Sequence, residues 1–176
     1  VMAADAAARE GVALATLGAP LLAALGAVLP PNWSHGNPVD IIGDAPAERY
    51  VQALKLLLAE RDSGSLLFMH APTAIVPAAE IAAAVVPLLS AAPGRVLGCW
   101  LGGASLAAAR EAFHAAGIPD YETPEQAVHA FSLIRTYCAN QAQLIQAPPA
   151  RAAQPAVDVA RVRAIVDSVL ADGRDW

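Results

Sequence analysis

Apolar positions recur along this chain in two periods, and the changes of period divide it into alternating elements. Residues 1–10 are alanine-rich, with Asp5, Arg9 and Glu10 left for solvent and Gly11 as a stop, which predicts a helix. Residues 12–17 predict a short strand. A second helix over 19–29 tolerates Pro20 in its first turn and ends at Pro30-Pro31. Residues 32–40 are a polar loop carrying Trp33, Ser34 and His35. A helix over 45–60 places Val51, Leu54, Leu57 and Leu58 on one face. The continuously apolar run 66–69 predicts a strand buried on both faces. Residues 77–89 are helical, with Pro87 marking a kink or an early end, and 95–101 predict the next buried strand. A helix over 104–116 stops at Gly117, and 118–121 suffice only for an edge strand. A long helix over 124–145 has Thr123 as N-cap and Glu125 and Gln126 in its first turn. Strands alternating with helices predict βαβ units with right-handed crossovers. The fold class is therefore α/β: an open parallel sheet with helices on both faces.

The alternation stops at a proline-rich, period-free linker, residues 147–156. Residues 157–171 then predict one more helix, with Val159, Val162, Ile165, Val166, Val169 and Leu170 as an apolar stripe. A single amphipathic helix cannot bury its stripe alone, so it folds back on the domain or opens a following one. The domain expectation is an α/β domain over 1–146, a linker over 147–156, and a helix over 157–176 that begins something else. Because the chain enters a helix at its first residues, we expect it to be an excised piece.

Composition narrows the function. At 176 residues the chain is long enough for one domain with a proper core. The hydrophobic fraction is 56% but aromatics are only 5%, so alanine supplies the packing, as close helix-on-sheet contact requires. A net charge of −5 argues against a nucleic-acid partner, which needs clustered basic residues. No apolar run reaches the roughly 18–20 residues of a membrane helix, and the N-terminal stretch lacks the features of a signal peptide. The expectation is a cytoplasmic domain, with homo-oligomerisation open. Cys99 and Cys138 form no metal or disulfide pattern, and Cys99 reads as a small buried hydrophobe.

Candidate chemistry sits in the loops after the strands. In Asn37-Pro38-Val39-Asp40, followed by Gly43-Asp44-Ala45, the proline restrains Asn37, so Asn37 and Asp40 face a cleft or form an Asx turn. His70-Ala71-Pro72-Thr73-Ala74 leaves the buried strand. A helix beginning in or just after it would aim free N–H groups and its positive end at an anion. His70 itself reads most simply as a strand-end histidine bonded to backbone. Gly102-Gly103-Ala104-Ser105 repeats the arrangement one unit later, with a tight glycine turn and Ser105 placed to cap a helix or meet an anion. His114 and His129 read as surface residues. No His/Cys/Asp/Glu cluster has metal spacing, and no nucleophile elbow, Walker loop or dinucleotide fingerprint is present.

In this order, and with Ala116-Gly117-Ile118-Pro119 and Tyr121-Glu122-Thr123-Pro124-Glu125 after them, the motifs resemble the last flavodoxin-like domain of NDP-forming acyl-CoA synthetases. That family includes succinyl-CoA synthetase and the large protein-acetyltransferase-like chains. The resemblance implies a parent acid–CoA ligase that uses ATP or another NTP, Mg2+ and CoA through a phosphohistidine relay. CoA-binding and phosphohistidine domains would lie upstream and an ATP-grasp domain downstream, opened by residues 157–176. It also implies a strand and a glycine-rich turn just before Val1, without which the sheet is one strand short. The phosphate-facing positions would be Asn37, Asp40, His70, Pro72, Thr73, Gly102, Gly103 and Ser105, with no catalytic residue and no bound cofactor in this piece. A rival reading is a non-catalytic ligand-binding module that regulates an attached acetyltransferase.

Overall fold

The computed structural model describes residues 1–60, 64–146 and 157–173; the linker 147–156 and the ending Arg174-Asp175-Trp176 lie outside the described residues. The chain divides into two units, Val1–Ala139 and Asn140–Trp176.

In the first unit, α1 (Met2–Arg9), α2 (Ala19–Val28) and α3 (Ala47–Ala59) precede β1 (Leu66–His70). Then α4 (Ala78–Ser90), β2 (Val96–Trp100), a 3₁₀ turn (Ala104–Leu106) leading into α5 (Ala107–Ala115), β3 (Asp120–Tyr121) and α6 (Pro124–Ile145) follow, the last residues of α6 counting with the second unit. The three strands are parallel in the order β1-β2-β3, pairing Leu66 with Val96, His70 with Trp100 and Gly98 with Asp120. This is the open parallel α/β sheet that the alternation predicts.

Side-chain alternation along the strands builds a layer on each face. Phe68, Val96 and Trp100 pack with Leu54 of α3, Ile81, Val85 and Leu89 of α4, and Phe113 of α5. Leu67 points the other way, to Ala6 and Ala7 of α1 and Val128 of α6. Trp33, read from sequence as part of a polar loop, is instead buried with Leu21, Leu25 and Leu29. Cys99 is fully buried as expected, and burial pushes its thiol up to about 11, with the Glu125 and Asp120 charges adding to it.

Two local expectations are corrected. Residues 12–17 do not form a strand: they run without regular structure, and among the described residues no strand pairs with them. A strand exists only by its ladder, and β1, the nearest candidate partner, lies across a slot lined by both segments. Pro87 does not end its helix early, since α4 continues to Ser90. At α6 the cap is as expected: Thr123 Oγ1 accepts from Gln126 N at 3.3 Å, and Gln126 Oε1 accepts from Glu122 N at 3.2 Å.

The two-residue β3 is held by charge. Asp120, its side chain fully buried, meets Arg110 Nε at 2.8 Å and His114 Nε2, both from α5, while Arg110 also reaches Glu122 at 3.2 Å. The Arg110–Asp120 contact is an ion pair by distance without a well-angled hydrogen bond. Replacing Arg110 by methionine leaves that carboxylate with the solvent-exposed His114 as its main partner. We expect a loss of about 3 kcal/mol in urea unfolding; a change below ~0.5 kcal/mol would show that the pair does not anchor β3.

In the second unit, α7 (Val159–Ala171) is capped by Asp158, whose carboxylate accepts from Arg161 N. No residue of α7 is buried, and Val159, Val162, Ile165, Val166 and Leu170 are exposed along it.

Candidate functional site

Every helix that follows a parallel strand starts at that strand's carboxyl end. The loops after β1 and β2 therefore share one edge of the sheet, where open α/β sheets hold their ligands. The backbone ties them together: Leu101 N donates to His70 O at 2.8 Å. A Cβ built on Gly102 would lie 2.9 Å from Pro72 Cγ, and one on Gly43 would lie 3.9 Å from Thr73 Cγ2. The loops carrying Gly43, Pro72–Thr73 and Gly102 thus touch in sequence along the edge. Pro72, Thr73, Gly102, Gly103 and Ser105 are all exposed there.

Residues 71–79 and 101–106 carry no charged side chain, so their polar groups are backbone amides and the two hydroxyls. Thr73 Oγ1 accepts weakly from Ile75 N at 3.4 Å, and Ser105 Oγ donates to Gly102 O at 3.0 Å. Ser105 therefore does not cap a helix, contrary to one reading of its sequence position; it closes the glycine turn. The helix after His70 begins at Ala78, beyond the motif itself. Its N-cap is Pro77, which has no side chain to satisfy the first-turn N–H groups. The 3₁₀ turn at Ala104 likewise has no side-chain cap.

His70 is buried, with 2% of its surface exposed. Its Nδ1 lies 3.0 Å from Tyr50 Oη, so its partner is a side chain of α3 rather than backbone. Its Nε2 and Trp100 Nε1 are buried without a hydrogen-bond partner. Burial lowers the His70 pKa from its ordinary 6.5, and burial, then the Asp40 charge, raises that of Tyr50. A buried neutral imidazole holds the strand end in place and offers no cation to an anion at the edge. Because its folded-state pKa is depressed, the folded chain binds fewer protons than the unfolded one below pH 6.5. The His70 contribution to stability is therefore lost as pH falls through that value. Melting temperature followed between about pH 7.5 and 5.5 should fall with acid, and His70→Gln should flatten that slope. An unchanged slope would mean that His70 is hydrated in solution.

Asn37 and Asp40 are each held by hydrogen bonds of their own, and the Asp40 charge reaches Tyr50, the partner of His70. Asn37 Nδ2 donates to Ala15 O at 2.9 Å, and its peptide bond to Pro38 is cis. Asp40 Oδ1 accepts from Ile42 N at 2.8 Å, the Asx turn weighed above. Arg49, with no motif to announce it, braces the 41–44 loop by donating to Ile41 O at 3.0 Å and Asp44 Oδ1 at 2.6 Å. Among the described residues no group of three His, Cys, Asp or Glu side chains could hold a metal ion, and no helix is long and apolar enough to cross a membrane.

Comparison with known proteins places this geometry in a family. The ligase-CoA domain family matches residues 1–121. The chain belongs to the NDP-forming acyl-CoA synthetase family. Among its relatives, an ADP-forming acetate–CoA ligase I from Archaeoglobus fulgidus is 34% identical over 137 residues, covering 78% of this chain and 19% of that one. The α subunit of ADP-forming acetate–CoA ligase II from Pyrococcus furiosus is 33% identical over 142 residues, covering 77% of this chain and 31% of the relative. Of solved structures, dinucleotide-forming acetyl-coenzyme A synthetase 1 from Ca. Korarchaeum cryptofilum superposes with a TM-score of 0.75 at 25% identity in its apo form. That match covers 83% of this chain and 33% of the other. The same synthetase in complex with phosphate and ADP also gives a TM-score of 0.75 at 25% identity, over 84% and 33% of the two chains. This chain thus spans between about a fifth and a third of the relatives it matches.

Proposed function

We propose that this domain serves an acid–CoA ligase that converts a carboxylic acid, CoA and ATP to acyl-CoA, ADP and phosphate, with acetate or a similar small acid as substrate. In this reading a phosphohistidine loop from another domain of the parent docks on the carboxyl edge at Pro72, Thr73, Gly102, Gly103 and Ser105. Asn37 and Asp40 border the approach. The observation that carries the reading is the pair of loops 71–79 and 101–106: both lack charged side chains, their Pro72, Thr73, Gly102, Gly103 and Ser105 are exposed, and they lead into helix starts whose first N–H groups have no side-chain cap. Such groups stabilise a phosphoryl group without a cation and without reorganising during the reaction. CoA, ATP and Mg2+ are assigned to neighbouring domains, with α7 as the start of the nucleotide-binding one. The acid named in the relatives, acetate, supports the substrate class.

Ala78 is the first residue of α4, where proline fits a helix and removes one N–H. Pro77 already has φ −61° and ψ 132°, which suits a residue before proline. In the full-length enzyme, Ala78→Pro is expected to lower acyl-CoA formation and the phosphohistidine level at least tenfold, with the melting temperature unchanged. Full activity in that variant would remove α4 from the phosphoryl site. A parent that forms no phosphohistidine with ATP would favour the regulatory-module reading.

A further inference from the structure

Three motif loops converge on one side chain that lies outside all of them. Tyr50 belongs to α3, and its Oη is 3.0 Å from His70 Nδ1. His70 ends β1, and Trp100, opposite it in the register, ends β2. Ala71-Pro72-Thr73 and Leu101-Gly102-Gly103 therefore leave directly from these two residues. Both rings stand on one face of the sheet, their centroids 5.1 Å apart, with the Tyr50 ring 5.8 Å from that of His70. Behind them the Leu101 amide closes on His70 O at 2.8 Å. On the far side of Tyr50, the Asp40 charge acts on its hydroxyl.

An imidazole turned over about its second side-chain torsion fills nearly the same space, so packing alone does not choose which nitrogen faces α3. A hydrogen bond does. Among the described residues the Tyr50 hydroxyl is the partner of that ring, and Nε2 has none. The phenol O–H is more acidic than a neutral imidazole N–H, which makes Tyr50 the donor and leaves the ring proton on Nε2. Packing does not call for the hydroxyl either, because a phenylalanine ring would meet Phe68, 5.9 Å away by centroid, equally well. We infer that Tyr50 is a positioning residue for the carboxyl-edge loops. Its hydroxyl donates to His70 Nδ1, holds the imidazole in the Nε2–H tautomer and in one orientation, and through the ends of β1 and β2 sets the Pro72 and Gly102 loops. The consequence for turnover rests on the ligase reading; the consequence for the loops does not.

The test uses the full-length enzyme and Tyr50→Phe, which keeps the ring and removes the hydroxyl. Nitrogen NMR of ¹⁵N-histidine-labelled protein should find His70 as the Nε2–H tautomer before the substitution, and in no single state after it. Exchange of the Leu101 amide should quicken about tenfold relative to that of Val85 in the core of α4. The kcat for acyl-CoA formation should fall about tenfold, with KM for the acid, CoA and ATP held within about twofold. His70→Gln should lower kcat similarly, and Tyr50→Phe/His70→Gln no further, because the two residues act as a unit. An Nδ1–H tautomer in the unmodified enzyme overturns the inference, and that measurement needs no variant. So does a retained tautomer or unchanged Leu101 exchange in Tyr50→Phe, and, in an active enzyme, an unchanged kcat or additive losses in the double variant. An unmodified enzyme that forms no acyl-CoA sinks the ligase reading instead, and tautomer and exchange then decide whether Tyr50 sets the loops.

Discussion

Exchanging Gly102 for alanine in the full-length ligase is expected to lower acyl-CoA formation about 100-fold while the protein stays folded. Gly102 has φ +140°, a conformation that residues with a Cβ rarely adopt. Its Cβ would also lie 2.9 Å and 3.1 Å from the ring of Pro72 and 3.3 Å from Leu106 Cδ1. Pro72 cannot swing aside as a long side chain does, because its ring is part of the backbone. The two loops must therefore move apart, and the amides that the proposed phosphoryl site uses move with them. Displacements near 1 Å at a preorganised site are enough for a 100-fold loss. Gly103 separates the steric cause from the conformational one. It also has positive φ, at +42°, but a Cβ there would meet nothing within 4 Å. Gly103→Ala should therefore be milder than Gly102→Ala in steady-state turnover. Equal and small effects for both would take these loops out of the reaction.

The residues differ in how far their roles could be read from sequence, and the difference has physical causes. Periodicity located β1, β2 and all the α-helices, because strands buried on both faces and helices with one apolar stripe write their burial directly into the order of residues. Residues 12–17 carry the same signal, yet a strand also needs a neighbour, and pairing is not a local property. Trp33 sits among Asn32, Ser34 and His35, so local polarity concealed a side chain that closes the α2 layer. At the edge, the glycines and prolines of the Pro72 and Gly102 loops were legible because special backbone geometry restricts residue choice. Ser105 was legible as a turn residue, but whether its hydroxyl caps a helix or closes the turn depends on where the helix starts, here three residues later than a continuous helix would begin. Tyr50 and Arg49 had no signal: both lie on an ordinary amphipathic helix, and only the tertiary fold brings Tyr50 to His70 and Arg49 to Ile41 and Asp44.

Shortening Phe113 to alanine is expected to give the largest loss of stability, about 3–5 kcal/mol in denaturant unfolding. Phe113 is fully buried, and its ring centroid lies 5.0 Å from that of Trp100 and 5.6 Å from that of Phe68. It also rests on the backbone of β2 at Gly98, where a Cβ would come within 2.7 Å of ring atoms Cδ2 and Cε2. Glycine in a central strand is unfavourable in itself, and here the absent side chain is what admits the ring. Gly98→Ala should accordingly destabilise by about 1–3 kcal/mol through overpacking. The two changes meet at one contact, so they should not add. In the double variant Gly98→Ala/Phe113→Leu the smaller side chain leaves room for the new methyl group. Its loss should be smaller than the sum of the single losses, and strict additivity in a double-mutant cycle would show that ring and glycine are not coupled. With folding free energies of domains near 5–15 kcal/mol, Phe113→Ala alone approaches the limit at which the sheet, and with it the carboxyl-edge loops, no longer holds together.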